Sequence, residues 1–427
     1  MTFGERLRAI FTAQAMGLVD RRFTAFCYAL PGVAGSTVSF LIGGAYIWAI
    51  LRLVAGRLEF RLPWEIAVCM AVFVAYAAVS TFTIVIHGFD RAAGGAFLDV
   101  LPFVLTPLVA ARLRNTPGND LTISIAMGSA VGGIASGAIG TYQNLVGSTR
   151  LSWRAEGGTG NAGPFSAMCV LLAFFALGGL LTDNRRMKVL GIIGFVGGTV
   201  GFYMSGSRGL VPGVPLLLII FFICLMRAYK IPRSYIAGGA ALLTIAAIVA
   251  TPIVFSRQID RVMSEPIHDL DSPRANKSSI GKRLLMYRTS LQAFAEAPIL
   301  GHGPQNRVAA AKKHMAPAER ELIRFTHLHN MLLDEVVGGG LVGLSLLLAV
   351  FAAPVWAAFR TKPGPTGLRV RYMIMVLTGI YLVHGMTNLA LWHDIMTLVF
   401  CYSIIAIICS GEYRMPDKVW LSRRDTR

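Results

Sequence analysis

At 427 residues, 55% hydrophobic and only 15% charged, the chain carries far less charge than the roughly 25% of a soluble domain, with a mean hydropathy of +0.60. This excludes an ordinary soluble enzyme, and the net charge of +18 is read as the anchoring charge of a membrane protein rather than a nucleic-acid-binding face. The six cysteines all fall inside apolar segments, so neither a disulfide framework nor a cysteine metal site is expected.

Met1 to Arg22 is basic and amphipathic, lacks the apolar core of a cleavable signal, and is expected on the membrane surface over residues 1–23. Residues 24–54 are too long for one comfortable span and are interrupted at Pro31-Gly32 and Gly35-Ser36. Further apolar segments run over roughly 64–87, 97–111, 121–141, 160–181, 188–204, 210–226, 234–255, 329–357, 372–391 and 394–410. Counting 24–54 as a hairpin of two short passes gives about twelve transmembrane helices; counting it as one gives eleven. The chain therefore reads as one all-α integral membrane domain over 1–427.

Lys and Arg choose between the two counts. With twelve spans and the N-terminus inside, 24 of the 40 basic residues lie in inner segments and four in short outer loops. The other twelve sit in the long loop 256–328, whose size exempts it from the rule. The twelve-span frame is preferred because a single pass would put the basic N-terminus outside. It places Arg208, the whole 256–328 loop and the junction after it on one external face. No P-loop or GxGxxG motif occupies the other face, so nucleotide-driven chemistry is not expected.

The external loop is more than a linker. Residues 279–297 read as an amphipathic helix with Leu284, Tyr287, Leu291, Phe294 and Ala295 on one stripe, ended by Pro298. Gly301-His-Gly-Pro304 makes a turn, and a second helix is expected around 305–324. Lys282, Arg283 and Arg288 cluster on the first helix, where guanidinium forks suit phosphate oxygens. The bland alternative is a solvated basic face or a contact with anionic membrane lipids. Arg208 stands in Ser205-Gly-Ser-Arg-Gly209, a bend whose backbone and guanidinium suit an anion, or else a snorkelling arginine in a tight hairpin.

The loop closes on Phe325-Thr-His-Leu-His-Asn330, after which an apolar helix begins, with Asp334, Glu335 and the glycines 338, 339, 340 and 343. A histidine at a helix N-terminus meets the positive end of the macrodipole and is kept neutral, which makes it a candidate proton acceptor. Asn330 either orients a hydroxyl or caps the helix. Asp334 and Glu335 pair with a loop arginine or serve the fold alone, and the glycines let neighbouring helices approach beneath the junction. Asp269-Leu-Asp271 resembles a metal motif but sits in a polar piece of the loop where a metal role is not expected, and the pair His327 and His329 has no third ligand nearby.

Three stretches together resemble a known family. They are Ser205-Gly-Ser-Arg-Gly209; Gly281-Lys-Arg-Leu-Leu-Met-Tyr-Arg288 with Ala297-Pro-Ile-Leu-Gly-His-Gly-Pro304; and His329-Asn330, nine residues, then Gly340-Leu-Val-Gly343. In order and spacing they resemble the O-antigen ligase and polymerase superfamily of bacterial envelope enzymes, over about residues 200–345, and the last signature resembles its ligase branch. The resemblance implies a GT-C-like fold in the inner membrane with a periplasmic active site. It implies an inverting, metal-independent glycosyltransferase without cofactors, working in lipopolysaccharide biosynthesis. Its donor would be O-antigen on undecaprenyl pyrophosphate and its acceptor the lipid A–core. His329 would be the catalytic histidine, with His327 and Asn330 in support. Arg208 and Arg283 would hold the pyrophosphate, with Arg288 a second candidate because the loop has two arginines close together. Tyr287 stands where the family leads one to expect tryptophan. A polymerase using the same donor, or a transporter of the lipid-linked glycan, is the alternative.

Overall fold

A computed structural model describes residues 13–116, 120–147, 154–230, 238–239 and 279–413. Among them the chain is helical throughout, with one isolated bridge, Thr361 to Tyr413, and no strand. The helices are α1 (Ala13–Ala29), α2 (Pro31–Ala34), α3 (Thr37–Val54), α4 (Trp64–Ile86), α5 (Arg91–Arg114), α6 (Thr122–Val146), α7 (Ala162–Leu177), α8 (Arg185–Ser205), α9 (Gly213–Tyr229), α10 (Ser279–Glu296), α11 (Arg307–Lys313), α12 (Pro317–Leu322), α13 (Met331–Arg360), α14 (Pro365–Gly385) and α15 (Asp394–Ser410).

Among the described residues eight helices are long and apolar enough to cross a membrane: α3 to α6, α7 with its 3-10 extension to Leu181, α8, α13 and α14. The shorter α9 and α15 are also apolar. The chain is thus a helical integral membrane protein. Helix α7 is apolar on every side and sits at the centre of the bundle, with all its side chains buried. Helices α6 and α8 meet backbone to backbone, because Gly133 and Gly137 face Gly194 and Gly197. Small residues one turn apart permit this approach where larger ones would hold the helices apart.

The stretch 24–54 does divide, at Pro31 and Gly35, into the end of α1 and the whole of α3. The surface segment expected over 1–23 is corrected in its described part. Residues 13–23 belong to the same helix as Thr24–Ala29, whose Ala25 and Tyr28 carbonyls meet Gly128 and Gly132 of α6, and Gly17 lies against Thr116. The reason is Asp20, buried and paired with Arg112 at 2.5 Å, which turns an apparently polar segment into a packed one. Apart from residues 238–239, the span expected at 234–255 lies outside the described residues, as do residues 256–278 of the long loop and with them Asp269 and Asp271.

The two ends of the bundle differ in charge chemistry. One gathers Arg112 with Asp20, Arg369 with Asp120 at 2.6 Å, Arg114 on the Cys409 and Gly411 carbonyls, and Arg371 on the Thr361 carbonyl. The other gathers the turns at 30–36, 87–90, 154–161, 206–212, 297–330 and 386–393. Backbone bonds join them, Gly158 N–H to the Gly32 carbonyl and Ala155 N–H to the Met204 carbonyl among them. Gln305 ties the long loop to the end of α4 through the Ile84 carbonyl at 3.1 Å.

The long loop differs from expectation in two ways. Helix α10 forms as predicted, but its buried face is Met286, Thr289, Ser290 and Ala293, while Leu284 and Leu291 are 43% and 59% exposed. Periodicity marks an apolar stripe without saying what covers it. Here the Thr289 and Ser290 hydroxyls bond back to their own helix, which leaves a slim face that packs closely. The single helix expected at 305–324 is two, α11 and α12, because Pro317 cannot continue a helix and instead begins one.

Candidate functional site

Helix α13 sets the site. Its residues run as one element from Met331 to Arg360, yet Gly340 kinks it with φ 63° and ψ −160°, a backbone conformation essentially reserved for glycine. The groups freed by the break are taken up by the loop. His302 and Gly303 donate to the Val337 and Gly338 carbonyls at 2.8 and 2.9 Å, and Leu341 and Val342 donate to the Pro298 and Ile299 carbonyls at 2.8 and 3.2 Å. The glycines therefore seat a loop segment rather than only a neighbouring helix. Gly338 and Gly340 lie on residues 299–304, and Gly339 and Gly343 face the Glu335 carboxylate.

At its N-terminus α13 is capped by Asn330, whose side-chain oxygen accepts from the Leu332 and Leu333 amides at 3.0 and 3.2 Å. Of the two roles open to Asn330, the structure shows the cap. Asp334 reaches back to accept from the Leu328 amide at 3.0 Å and pairs with Arg307 at 3.1 Å. Glu335 accepts from the Tyr76 hydroxyl at 2.9 Å. Both carboxylates are buried, and each has the polar partner that burial requires.

Immediately before the cap, His329 is held with φ 57°. Its ring stands 4.4 Å from that of Phe325 and 4.3 Å from that of His327, centroid to centroid. Its Nδ1 is buried without a hydrogen-bond partner among the described residues. Burial, then His327, then Arg283 hold the His329 imidazole down at about 3. His327 is held down at about 4, by burial first and by the charge of Arg307 next. Its Nε2 lies 3.2 Å from Asn388 Oδ1. Burial and the neighbouring charges thus favour the neutral form of both rings.

Arg283 comes from α10 and acts on both rings. Arg288 is five residues on, about 140° round the helix at 100° per residue, and is exposed. Arg283 is thus near enough to bear on the charge of both histidines, and Arg288 lies on an outer face. Arg208 lies at the same end of the bundle, half-buried in a turn that Gly206 opens with φ 59°. The turn is pressed against 386–393: a Cβ on Gly209 would fall 2.2 Å from Thr387 Oγ1, and Thr387 adjoins the Asn388 that meets His327. Arg154 fixes it from the other side by donating to the Ser205 carbonyl at 2.9 Å.

Three participants escaped the sequence. Asn388 and Trp392 sit in or beside the stretch read as the span 372–391, whereas α14 runs Pro365–Gly385, earlier in the chain. Its polar start is buried because Arg369 meets Asp120 and Thr122. The apolar residues around Asn388 hid the turn that follows. Arg307 is the third: it is buried, pairs with Asp334, and stands 5.5 Å over the Trp392 ring. The one signal for it was a basic residue shortly after the Gly-His-Gly-Pro turn. Among the described residues no three His, Cys, Asp or Glu side chains form a group able to hold a metal ion.

Residues 192–348 match the pattern of a family described as O-antigen ligase. That stretch takes in Arg208, Arg283, His327, His329 and Gly340; Asn388 and Trp392 lie beyond it. The chain is 27% identical over 198 residues to an uncharacterized protein of Haemophilus influenzae, covering 44% of this chain and 47% of the relative. It is 24% identical over 203 residues to an O-antigen ligase of Escherichia coli, covering 45% and 46%. The matched stretch thus spans about half the length of each of these curated relatives.

Proposed function

We propose, on the premise that residues 192–348 form a domain of the O-antigen ligase family, that this protein transfers O-antigen from undecaprenyl pyrophosphate to the lipid A–core. It does so as an inverting glycosyltransferase of the inner membrane, on the periplasmic side. The observation that carries this reading is His329, held just before the cap of α13 and tied by its carbonyl to α10, the helix that bears Arg283, at the bundle end opposite the paired arginines. Under the positive-inside rule that end faces outward.

The donor already has an activated leaving group, so no nucleotide is needed and no metal enters the scheme. The acceptor hydroxyl oxygen attacks the anomeric carbon as the bond to the pyrophosphate oxygen breaks. His329 takes the hydroxyl proton on Nε2, since Nδ1 is buried. The bond electrons leave with undecaprenyl pyrophosphate, and Arg283 and Arg208 stabilise the charge that develops there. A single displacement inverts the anomeric centre.

The depressed His329 basicity has a kinetic signature. The ring loses its proton-accepting form only as pH falls toward about 3, so kcat/KM should show no acid limb from this group between pH 5 and 8. A limb centred near 6.5 in the intact protein, abolished with His329, would contradict the environment described. Burial is the largest cause of the depression and Arg283 the smallest, so a bound pyrophosphate, by placing negative charge near the ring, acts to raise its basicity within the complex.

Arg208→Lys is expected to lower transfer by at least 10-fold, because lysine keeps the charge and loses the bidentate fork; full activity of that variant, read in the same assay, would remove Arg208 from the anion site. The function itself is tested by expressing the chain in a Gram-negative strain lacking its own ligase but making both substrates. Recovery of O-antigen-capped lipopolysaccharide on gels supports ligation. Longer lipid-linked chains with an uncapped core would instead support a polymerase.

A further inference from the structure

His329 and Trp392 are two of the three non-glycine residues with positive φ among the described residues, and both stand at the site. Such a conformation is disfavoured for an L side chain and persists only where the surroundings enforce it. Around His329 the enforcing bonds are few. The Leu328 amide is held by Asp334 and the Leu332 and Leu333 amides by Asn330, all within the N-terminal region of α13. The carbonyl of His329 itself is held from elsewhere: the Tyr287 hydroxyl of α10 donates to it at 3.1 Å. Tyr287 is four residues after Arg283, so the two lie on one face of α10, one turn apart.

We infer that Tyr287 is a positioning residue, whose hydroxyl ties the backbone of His329 to α10 and so fixes the imidazole in register with Arg283. The inference rests on the proposed role of His329 as the base. The helix that brings an arginine toward the donor is then the same helix that sets where the proton acceptor stands. Without the hydroxyl, the His329 peptide can relax out of the left-handed region, and the ring can turn toward water and away from Arg283. Helix α10 itself does not depend on the bond, since its buried face is Met286, Thr289, Ser290 and Ala293.

Tyr287→Phe removes only the donor. Expected is a fall in kcat of about 10-fold or more with both KM values within twofold, the pattern of an interaction lost from the transition state. An acid limb should also emerge in kcat/KM as the imidazole moves toward its ordinary value near 6.5. Tyr287→Trp, which keeps an N–H donor, should preserve the flat profile better than phenylalanine does. Wild-type kcat and a flat profile in Tyr287→Phe would overturn the inference. So would a loss that raises both KM values and leaves the profile flat, since that is what mere scaffolding gives. Histidine NMR of the purified protein, with the His329 signal assigned through His329→Gln, separates this from the functional reading. If the wild type transfers nothing, the ligase reading fails, while the His329 midpoint in wild type against Tyr287→Phe still decides the tether. An upward shift supports it, and an unchanged midpoint overturns it.

Discussion

Replacing His329 with alanine is expected to lower glycan transfer by about 10²–10⁴-fold, the usual span for a general base, while the protein still inserts and folds. The ring is not part of the main core: it packs edge-on against Phe325 and beside His327, in a loop ahead of α13. The bonds that hold the local chain come from Asn330, Asp334 and Tyr287, and all three survive the substitution. Loss of transfer with normal membrane abundance is therefore a loss of chemistry. Alanine at His327 should cost less, because its Nε2 faces Asn388, which suits a support for its neighbour. Quantified transfer by the two variants, normalised to protein in the membrane, checks both. Equal rates for His329→Ala and wild type would remove the base assignment, and a larger loss at His327 would transfer it to that ring.

The second large effect lies away from the histidines. Gly340→Ala is expected to destabilise the protein by roughly 2–5 kcal/mol, from backbone strain and overpacking together. A Cβ at Gly340 would sit 2.3 Å from the Ile299 carbonyl oxygen and 2.7 Å from the Leu300 nitrogen. Backbone cannot swing aside as a side chain can, so the substitution must push residues 298–303 off α13 and release the four hydrogen bonds that seat them. Transfer should fall as well, since the same loop joins α10, which brings Arg283, to α11, which brings Arg307. Two controls grade the claim. Gly343→Ala meets only the far end of the Glu335 side chain and should be milder, and Gly44→Ala meets open space and should be near neutral. Thermal unfolding in detergent should rank the three in that order; a Gly340→Ala protein as stable as wild type would mean that the break in α13 is not required.

Much of the architecture was legible because hydrophobic length is a direct readout of a membrane-spanning helix. Segments such as 64–87, 160–181 and 188–204 fall within a few residues of α4, α7 with its extension, and α8. The division of 24–54 was legible from Pro31 and Gly35. What hydropathy could not supply was any pairing. Asp20 and Arg112 are 92 residues apart, and neither alone says that residues 13–23 are packed rather than lying on a surface. Arg369 shifted α14 in the same way, and with it hid the turn bearing Asn388 and Trp392.

At the site, the spacing from His329-Asn330 to Gly340 and Gly343 singled out the junction where the loop meets α13, yet it did not say what the glycines receive. A glycine that admits a neighbouring helix and one that admits a loop leave the same mark in a sequence. Arg283 was preferred to Arg288 on resemblance alone, and the orientation of α10, which leaves Arg288 exposed, is something the sequence did not supply. Arg307 carried no pattern at all beyond its place after the turn. Its role follows only from the fold, which sets it between Asp334 and Trp392.

The most direct measurement uses the purified protein in lipid nanodiscs with undecaprenyl-pyrophosphate-linked O-antigen and lipid A–core, without nucleotide and with a chelator of divalent ions. Mass spectrometry of the acceptor reports the outcome. Lipid A–core should gain the glycan with inversion at the new linkage, undecaprenyl pyrophosphate should be released in equal amount, and the His329→Ala protein should give at most about one hundredth of that rate. An unmodified lipid A–core beside a donor extended by further repeats, or transfer that starts only when a divalent ion is restored, would contradict the account.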